Sequence, residues 1–413
     1  MKKVYLYQPA DGCIESFMDF KRVRVSLRDN GWIITRRLKD ADIVFVNTCI
    51  VGRIPQRNCL KVIEKLKRKM KKEAQLVVTG CLPDYDPHSL SKYDVSFSFG
   101  ARKYDNFLEY FGFKQGTEEY AGSIESEYLG VYNLFNWLSR IVKFASRLHL
   151  PLPQYLYRRA AFIEDRDTVY IRISRGCKEF CTYCATRFAI GPLLSNPADM
   201  ILANFDRHLK SGQRIFALCA EDTGAYGQDV GLDFPTLLAQ LLRRKEDFLI
   251  NIRQHTPHWI IGNLEAYLKV FSDKRVKSIT LPFQSGSDRI LKLMGRRYNA
   301  QELIKTVKAI RKHAPHLMLR THVIVGFPTE TEEDFRKTLV LVKELPWDMV
   351  LAFPYTDRSR TEAAKINGKI PWAVALRRCA TLSINVLWKI YLNKANIWPL
   401  VLRNPDDATG DRI

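Results

Sequence analysis

The sequence predicts an α/β protein in which an N-terminal doubly wound parallel sheet precedes a partial (β/α)6 barrel. Two stretches of the chain alternate short apolar runs with amphipathic ones, which is typical of parallel strands joined by helical crossovers. The second stretch holds six strand-like runs in series, which favours a barrel. We expect a first domain over 1–112, a linker with an amphipathic helix over 113–165, a barrel domain over 166–370, and a C-terminal helix and tail over 371–413.

The first domain alternates strand-like runs with basic amphipathic segments. The segment NCLKVIEKLKRKMKK has apolar residues at helical spacing, so it predicts a crossover helix. Short apolar runs bounded by turn residues predict the strands. They are VYLYQ, DIVFVNT, AQLVVTG and DVSFSFG.

The linker differs from both neighbours in composition. It opens with the acidic stretch KQGTEEYAGSIESEY, which we interpret as a loop. The following LGVYNLFNWLSRIVKFASRLHL predicts an amphipathic helix that ends before PLPQ. We expect its apolar face to pack on a neighbouring domain, and a helix on a membrane surface is the alternative.

The barrel domain repeats the alternation at greater length. Its predicted strands are VYIRIS, QRIFALCA, FLINIR, KSITLPF, LMLRTHVIVGF and DMVLAFPY, and AQELIKTVKAIRKH and TEEDFRKTLVLVKEL are examples of its helices. In such barrels the working residues lie at the C-terminal ends of the strands. The segment WAVALRRCATLSINVLWKIYLNKANIW predicts a final helix.

The excess of positive charge indicates which kind of partner the protein is expected to bind. The chain of 413 residues carries 65 Lys and Arg against 44 Asp and Glu, a net charge of +21. This excess favours a polyanionic partner, RNA or DNA above all, and a basic enzyme without such a partner is the alternative. No segment has the length and apolarity of a membrane span, and the N-terminal apolar run is too short for a signal peptide. We therefore expect a cytoplasmic protein without membrane insertion.

Three of the nine cysteines share one setting although they are far apart in sequence. Cys49 follows DIVFVNT, Cys81 follows AQLVVTG, and Cys13 lies just beyond VYLYQ. The C-terminal ends of parallel strands meet at one edge of a sheet, where ligands bind. We therefore expect these three thiols to converge. By contrast, Cys59, Cys219 and Cys379 are interpreted as packing residues.

A second group of cysteines is local. Cys177, Cys181 and Cys184 are spaced four and three apart in RGCKEFCTYC, directly after the first barrel strand. A stripe of buried cysteines on a helix is the alternative, but Gly176 and its charged neighbours predict a loop. Three thiolates in a compact loop suit an iron–sulfur cubane, and three ligands leave one of its four irons open.

This loop resembles the signature of the radical S-adenosylmethionine (SAM) enzymes. The resemblance implies that the open iron binds SAM and that Tyr183 lies near its adenine. The resemblance extends to about residue 365, and over this length the chain is similar to the methylthiotransferases of that superfamily. The motifs that carry it include NTC, VTGC, LCAEDTGAYGQDVG, LPFQSGSDRILKLMGRRYNAQEL, VIVGFPTETEEDF and PYTDRSRTEAA. The resemblance implies a second [4Fe–4S] cluster held by Cys13, Cys49 and Cys81, and a radical SAM barrel.

The resemblance also implies SAM contacts at the strand ends of the barrel. Glu221 and Asp222 end the second strand, and Arg253 ends the third, where its charge can pair with the SAM carboxylate. Gln284 ends the fourth strand. Gly326 and Phe327 end the fifth, where the backbone is expected to approach the adenine.

The motifs EDTGAYG and CTYC resemble those of the family branch that acts on N6-threonylcarbamoyladenosine in tRNA. The resemblance implies methylthiolation at C2 of adenosine 37. In the implied reaction one SAM methylates a sulfur at the auxiliary cluster, and a second is reductively cleaved to a 5′-deoxyadenosyl radical that initiates C–H replacement. An electron donor such as flavodoxin or ferredoxin is implied as a partner.

The chain departs from the family pattern at four places. Ile190 and Asn196 stand where arginines are usual, His322 where aspartate is common, and Thr329 where glycine is usual. The substrate-binding TRAM domain is not expected, since the last fifty residues predict helix. These departures keep open methylthiolation of a protein or peptide side chain, as in the branch that modifies a ribosomal-protein aspartate. A degenerate, non-catalytic cluster-binding protein is the second alternative.

Overall fold

The computed structural model describes residues 2–9, 13–113, 121–123 and 168–392, of which the side chain of Ile54 and those of 121–123 and 386–392 are not considered. The predicted amphipathic linker helix and the tail beyond residue 392 lie outside these residues. Within them, no helix is both long and apolar enough to cross a membrane.

The N-terminal sheet has five parallel strands in the order β2-β1-β3-β4-β5. They are β1 (Lys3–Tyr7), β2 (Ile33–Thr35), β3 (Ile43–Thr48), β4 (Gln75–Gly80) and β5 (Phe97–Ser98). The strand β2 was not predicted because it is an edge strand of only three residues, too short for a clear apolar run. The sheet is otherwise the predicted one.

Helices cover both faces of this sheet. The helices are α1 (Ile14–Asp29), α2 (Arg53–Lys69), α3 (Leu82–Tyr85) and α4 (Tyr104–Phe111), with 3-10 turns at Leu38–Asp40 and Pro87–Tyr93. Every residue of β3 is buried. Val44 and Val46 join one apolar cluster, whereas Ile43 and Phe45 join another. Since successive side chains of a strand point to opposite faces, this division confirms a doubly wound sheet.

The second sheet is a partial barrel in the order β14-β13-β12-β11-β10-β7-β6. Its strands are β6 (Ala121–Ser123), β7 (Thr168–Arg172), β10 (Ile215–Cys219), β11 (Leu249–Ile252), β12 (Val276–Thr280), β13 (Met318–Val325) and β14 (Met349–Pro354). The two strands between β7 and β10 form a separate antiparallel ribbon and are β8 (Ser174–Arg175) and β9 (Leu194–Ser195). The six predicted strands pair in parallel. The predicted fold class is therefore confirmed. The antiparallel pairing of β6 with β7 differs from our interpretation of this part of the linker as a loop.

Helices accompany the strands of the barrel, and the short one at Arg187–Ile190 packs against α3 of the first domain. They are α5 (Arg187–Ile190), α6 (Ala198–Lys210), α7 (Phe234–Leu241), α8 (Pro257–Gly262), α9 (Leu264–Phe271), α10 (Asp288–Leu293), α11 (Ala300–His313), α12 (Glu332–Glu344) and α13 (Glu362–Lys365), with a 3-10 turn at Thr223–Ala225. Two of them begin at capping boxes, formed by Asn299 with Glu302 and by Thr331 with Asp334. These caps satisfy amide groups that the first turn leaves unpaired, so both predicted helices start where the sequence indicates.

The C-terminal helix α14 (Trp372–Leu392) packs against β14 and α12. A buried ion pair fixes it: Arg378 Nη1 lies 2.7 Å from Glu330 Oε2, with side chains 5% and 0% exposed. The same carboxylate oxygen accepts a hydrogen bond of 2.6 Å from the amide of Gly326. The position of α14 is therefore coupled to the loop that follows β13.

We expect Arg378→Ala to lower the free energy of unfolding by about 3–5 kcal/mol, because it leaves the buried Glu330 carboxylate without its counter-charge. Denaturant unfolding monitored by circular dichroism measures the change. Arg377→Ala, on the exposed side of the same helix, is the control and should cost less than about 0.5 kcal/mol. Equal losses in both variants would contradict the buried pair as the cause.

Candidate functional site

The first three cysteines converge at the C-terminal edge of the N-terminal sheet. Cys49 and Cys81 directly follow β3 and β4, and Cys13 precedes α1. A hydrogen bond with the Cys49 thiol, together with burial, raises the pKa of Cys13. Burial and the nearby Cys49 also raise the pKa of Cys81. The three thiols therefore lie near one another at this edge, and their role as ligands of one cluster stays a prediction.

The backbone around Cys49 and Cys81 leaves little freedom. Gly80 has a φ of 94°, and a Cβ there would lie 2.2 Å from the Thr48 carbonyl oxygen. The amide of Cys81 donates to that same oxygen at 3.1 Å. Cys59, interpreted as a packing residue, also contacts this site: its sulfur accepts from the Cys49 amide at 3.4 Å. Cys49 and Cys81 are thus held on rigid strand ends.

The loop after β14 fastens this edge to the barrel. Arg358 Nη2 donates to the Ile50 carbonyl at 2.9 Å, and Arg360 Nη1 donates to the carbonyls of Asp84 and Tyr85 at 2.9 and 2.8 Å. Both arginines belong to the motif PYTDRSRTEAA, which the sequence analysis quoted without assigning them a role. They hold the two loops that follow Cys49 and Cys81.

The second three cysteines lie in the loop between β8 and α5. Gly176 opens this loop with a φ of 74°, and a Cβ there would lie 2.0 Å from the Pro192 carbonyl oxygen. The amide of Cys184 donates to the Cys181 carbonyl at 3.1 Å, which closes a tight turn. Burial raises the pKa of Cys177, and Asp222, Cys181 and Cys184 add to the effect. The three thiols therefore share one compact, largely buried space.

The donor sets fit iron–sulfur clusters better than single metal ions. In the part of the chain that the structure describes, no three His, Cys, Asp or Glu side chains converge as ligands of one ion. A cubane instead places each thiolate on a different iron, so its ligands surround a larger space. The two groups of three thiols, each partly or fully buried, supply the thiolate ligands that such clusters use.

The segment from Leu293 to Arg296 supports the second cysteine loop. The hydroxyl of Thr182 donates to the Leu293 carbonyl at 2.7 Å, and the amide of Thr182 donates to the Met294 carbonyl at 3.1 Å. Arg296 Nη1 donates to Cys181 Sγ at 3.0 Å. Sequence reasoning missed this residue, because only the folded chain brings position 296 to position 181.

Glu221 and Asp222 follow β10 but have different surroundings. Burial raises the pKa of Glu221 to about 7 although Arg172 opposes the shift, and its Oε2 has no hydrogen-bond partner among the described residues. Asp222 accepts hydrogen bonds from the amides of Gly224 and Thr256 and, at 2.8 Å, from Trp259 Nε1. Of the two carboxylates, only Glu221 therefore has an oxygen left for a ligand in this arrangement.

Arg253 and Gln284 lie on the inner wall of the barrel. Gln284 has a φ of 68°, its amide donates to the His322 carbonyl at 3.0 Å, and its Oε1 has no hydrogen-bond partner in the described chain. Burial, together with the charges of Arg253 and Arg320, lowers the pKa of His322 to about 4. Where the family commonly has an aspartate, this chain therefore has a neutral imidazole beside two guanidinium groups.

The remaining predicted SAM contacts meet in one apolar cluster. Phe327 is buried with Met294 and Ala363, and Tyr183 packs against this group. Gly326 has a φ of 74°, and a Cβ there would lie 2.6 Å from the Cβ of Ala375 in α14. The structure therefore gives this glycine a packing reason, and the approach of its backbone to an adenine stays a prediction.

Three of the family departures have local explanations. Ile190 and Asn196 are each 8% exposed, and Asn196 Nδ2 donates to the Arg172 carbonyl at 2.7 Å. Thr329 has a φ of 68°, in the left-handed region that disfavours β-branched residues. Arg289 holds this backbone through the Thr329 carbonyl at 2.7 Å. Glycine adopts this left-handed backbone without strain, which explains why glycine is usual at this position.

A buried charge network joins the first domain to the barrel near the first group of cysteines. Arg172, at the end of β7, pairs with Asp19 of α1, and Arg175 lies 2.7 Å from the same carboxylate. Besides burial and Cys49, the charges of Asp19 and Glu221 raise the pKa of Cys81. The C-terminal edges of the two sheets therefore meet here.

Comparisons with known proteins agree with this geometry. Residues 171–342 match the radical SAM superfamily, and residues 6–100 match a family described as uncharacterized protein family UPF0004. Among solved structures, the radical SAM methyltransferase TsrM from Kitasatospora setae aligns with a TM-score of 0.54 at 12% identity, covering 88% of this chain and 77% of that one. The match over residues 171–342 indicates a radical SAM domain, and the structural alignment supports its fold.

Curated relatives narrow the class. The chain is 31% identical to a probable threonylcarbamoyladenosine tRNA methylthiotransferase of Pyrococcus horikoshii, covering 91% of this chain and 82% of that one. It is 32% identical to the ribosomal protein uS12 methylthiotransferase RimO of Thermotoga sp. strain RQ2, covering 89% and 80%. The chain belongs to the radical SAM methylthiotransferase family. It is a SAM-dependent transferase whose cofactors are two [4Fe–4S] clusters and SAM.

We expect Thr329→Gly to raise the free energy of unfolding by about 1 kcal/mol, because a left-handed backbone costs a non-glycine residue roughly 1–2 kcal/mol. Chemical denaturation of the two proteins measures the difference. Thr331→Gly is the matched control: it removes the cap of α12 and should destabilise. A loss of stability in Thr329→Gly would mean that the contacts of Thr329 with Arg289 outweigh the strain.

Proposed function

We propose that this chain is a tRNA methylthiotransferase that places a methylthio group on C2 of N6-threonylcarbamoyladenosine 37. The observation that carries the choice of tRNA is a basic stripe on α2. Its exposed members Arg53, Arg57, Lys61 and Lys65 follow one another at four-residue spacing, so they share one face of the helix. A helix of this length is about 25 Å long, enough to follow several phosphates.

The stripe begins beside the candidate site. Arg53 opens α2 four residues after Cys49, so the basic face runs outward from the edge that carries the first three cysteines. A nucleic acid bound along it would lie with its backbone on α2 and a neighbouring base near that edge. Phosphate contacts position a substrate without reading its sequence. The chemistry of the modified base would then be recognised inside the barrel.

In this proposal Cys177, Cys181 and Cys184 hold the cluster that binds SAM, and Cys13, Cys49 and Cys81 hold the auxiliary cluster. When bound, the two clusters and SAM supply the reductive radical chemistry and the methylthio donor. Among the candidate SAM contacts, Tyr183 and Phe327 offer an apolar surface for the adenine. Arg253, Gln284 and Glu221 offer charged or polar groups on the barrel wall, and Asp222 and Gly326 order the loops between them.

The protein's own contribution is position and shielding. The ion pair of Arg172 with Asp19 and the hydrogen bond of Arg358 to the Ile50 carbonyl tie the first domain to the barrel, and in this proposal they keep the two groups of thiols on facing edges. A substrate carbon between them would meet both sites without moving. Burial of the intervening wall excludes water from a reactive intermediate. An electron donor such as flavodoxin or ferredoxin completes the proposal as a partner.

A second candidate is methylthiolation of a protein side chain. It is favoured by the RimO relative, whose printed function concerns ribosomal protein uS12 and whose identity of 32% is as high as that of the tRNA relatives. The guanidinium groups of Arg253 and Arg320, near the neutral imidazole of His322, suit a carboxylate on either substrate. The basic stripe on α2 is what favours tRNA.

The ligand assignment predicts about eight irons per chain after anaerobic reconstitution, because each cubane contains four. Replacing Cys177, Cys181 and Cys184 by alanine should leave about four irons and abolish 5′-deoxyadenosine formation. Replacing Cys13, Cys49 and Cys81 should also leave about four irons but keep SAM cleavage. As a control, Cys219→Ala removes a buried thiol in β10 and should keep eight. Full iron content in either triple variant would contradict the assignment.

The substrate assignment predicts that tRNA nucleosides from a deletion strain lose the methylthio derivative of N6-threonylcarbamoyladenosine. Mass spectrometry of those nucleosides, and in parallel of uS12 peptides, decides between the two candidates. An unchanged nucleoside profile with loss of methylthio-aspartate would establish the protein substrate instead.

The basic stripe can be tested separately. Lys61→Glu with Lys65→Glu should weaken tRNA binding. The slope of the logarithm of the binding constant against the logarithm of the salt concentration should become shallower by about one per lysine. Filter binding at several salt concentrations measures both. The matched control is Lys305→Glu with Lys308→Glu, which makes the same charge change on exposed positions of α11. Equal effects of the two pairs would rule out a specific role for the stripe.

A further inference from the structure

Arg296 reaches from the loop after α10 to the second group of cysteines. Its Nη1 donates to Cys181 Sγ at 3.0 Å, its Nη2 lies 3.4 Å from the Pro282 carbonyl, and its Nε lies 3.4 Å from the Tyr298 hydroxyl. The planar guanidinium is therefore held by three acceptors on different sides. Such a fork fixes the direction of the group far better than a lysine would.

The backbone keeps this contact in place. Thr182, the residue after Cys181, donates to the carbonyls of Leu293 and Met294, as described above. Gly295 has a φ of 73°, and a Cβ there would lie 2.9 Å from the Phe180 carbonyl oxygen. The cysteine loop and the segment that carries Arg296 are thus packed backbone to backbone. This packing keeps the backbone of Arg296 within reach of Cys181, and the three acceptors hold its guanidinium there.

We propose that Arg296 is a positioning residue that raises the reduction potential of the SAM-binding cluster by hydrogen-bonding to the Cys181 thiolate. The inference rests on the proposed function, since it takes Cys181 as a cluster ligand. Neither the resemblance nor any relative assigned a role to this arginine.

The direction of this change in reduction potential follows from the positive charge of Arg296. Reduction adds one negative charge to the cluster and its thiolates, and a fixed cation at hydrogen-bond distance stabilises the more negative state. Hydrogen bonds to the sulfurs and the local charge are among the factors that set cluster potentials. Arginine stays protonated, so the effect does not depend on pH. The neighbouring Arg297 is about half exposed and lies 4.0 Å from Glu179, so solvent and that carboxylate screen its charge.

The test is a redox titration of the reconstituted, full-length protein, followed by electron paramagnetic resonance. The signal that changes on addition of SAM identifies the SAM-binding cluster in the presence of the auxiliary one. In Arg296→Gln we expect the reduction equilibrium of that signal to become tenfold less favourable, equivalent to about 59 mV for a one-electron couple. Arg296→Lys keeps the charge without the fork and should shift less. Arg297→Gln is the matched control, with less than a threefold change.

Each outcome decides the matter. An unchanged potential in Arg296→Gln with the cluster present would overturn the inference, as would equal shifts in Arg296→Gln and Arg297→Gln. Loss of the cluster in both Arg296 variants would assign the residue a purely structural role and also overturn it. Failure of the proposed function looks different: Cys181→Ala would then retain the SAM-sensitive signal.

Discussion

The buried ion pair between Arg172 and Asp19 joins the two halves of the molecule at the point where their strand ends meet. Arg172 is 3% exposed and also donates to the Glu15 carbonyl. Burial alone would raise the pKa of Asp19, but Arg172 and Arg175 outweigh it and hold that pKa below its ordinary value. The carboxylate is therefore charged and bound where α1, which follows Cys13, crosses the end of β7. This pair is one of the contacts that fix the first domain relative to the barrel.

Two further kinds of contact hold the segments that carry the two groups of cysteines. Arg358 and Arg360 bind main-chain carbonyls after β3 and β4, so they position backbone rather than side chains. Thr182, within the second cysteine loop, binds the carbonyls of Leu293 and Met294, and Arg296 binds Cys181 of that loop. All four act on the ends of strands or on loops next to them, where the cysteines lie. A multi-cofactor radical enzyme needs such rigid support because its reactive groups must stay in register.

The interior of the barrel is cationic, and one of the family departures makes it more so. His322 stands among Arg253 and Arg320 where an aspartate is common in relatives, and its neutral form avoids adding a third full charge. The departure at Thr329 changes backbone strain rather than charge. The departures at Ile190 and Asn196 are absorbed into the core. Only the first of these alters what the site can bind.

The sequence by itself determined the fold class, the alternation that builds both sheets, and the cysteine positions. Strand periodicity and parallel-strand polarity are local properties, and they were enough to expect Cys13, Cys49 and Cys81 at one edge. The same reasoning missed β2, which has only three residues at an edge, and β6, which pairs within a segment interpreted as a loop. Those errors concern short strands whose pairing depends on a neighbour and not on their own pattern.

Only the tertiary structure decided which polar groups serve the site. Asp222 was chosen from its place after a strand, yet its oxygens bind Gly224, Thr256 and Trp259. Arg296 lies in a motif that carried the family resemblance but had no role assigned, yet it donates to Cys181 across 115 positions of chain. A side chain's partners depend on which segments fold together, and spacing along the chain holds no information about contacts at that range. The sequence thus determined the chemistry that this protein carries, and the packing of loops decided how that chemistry is held.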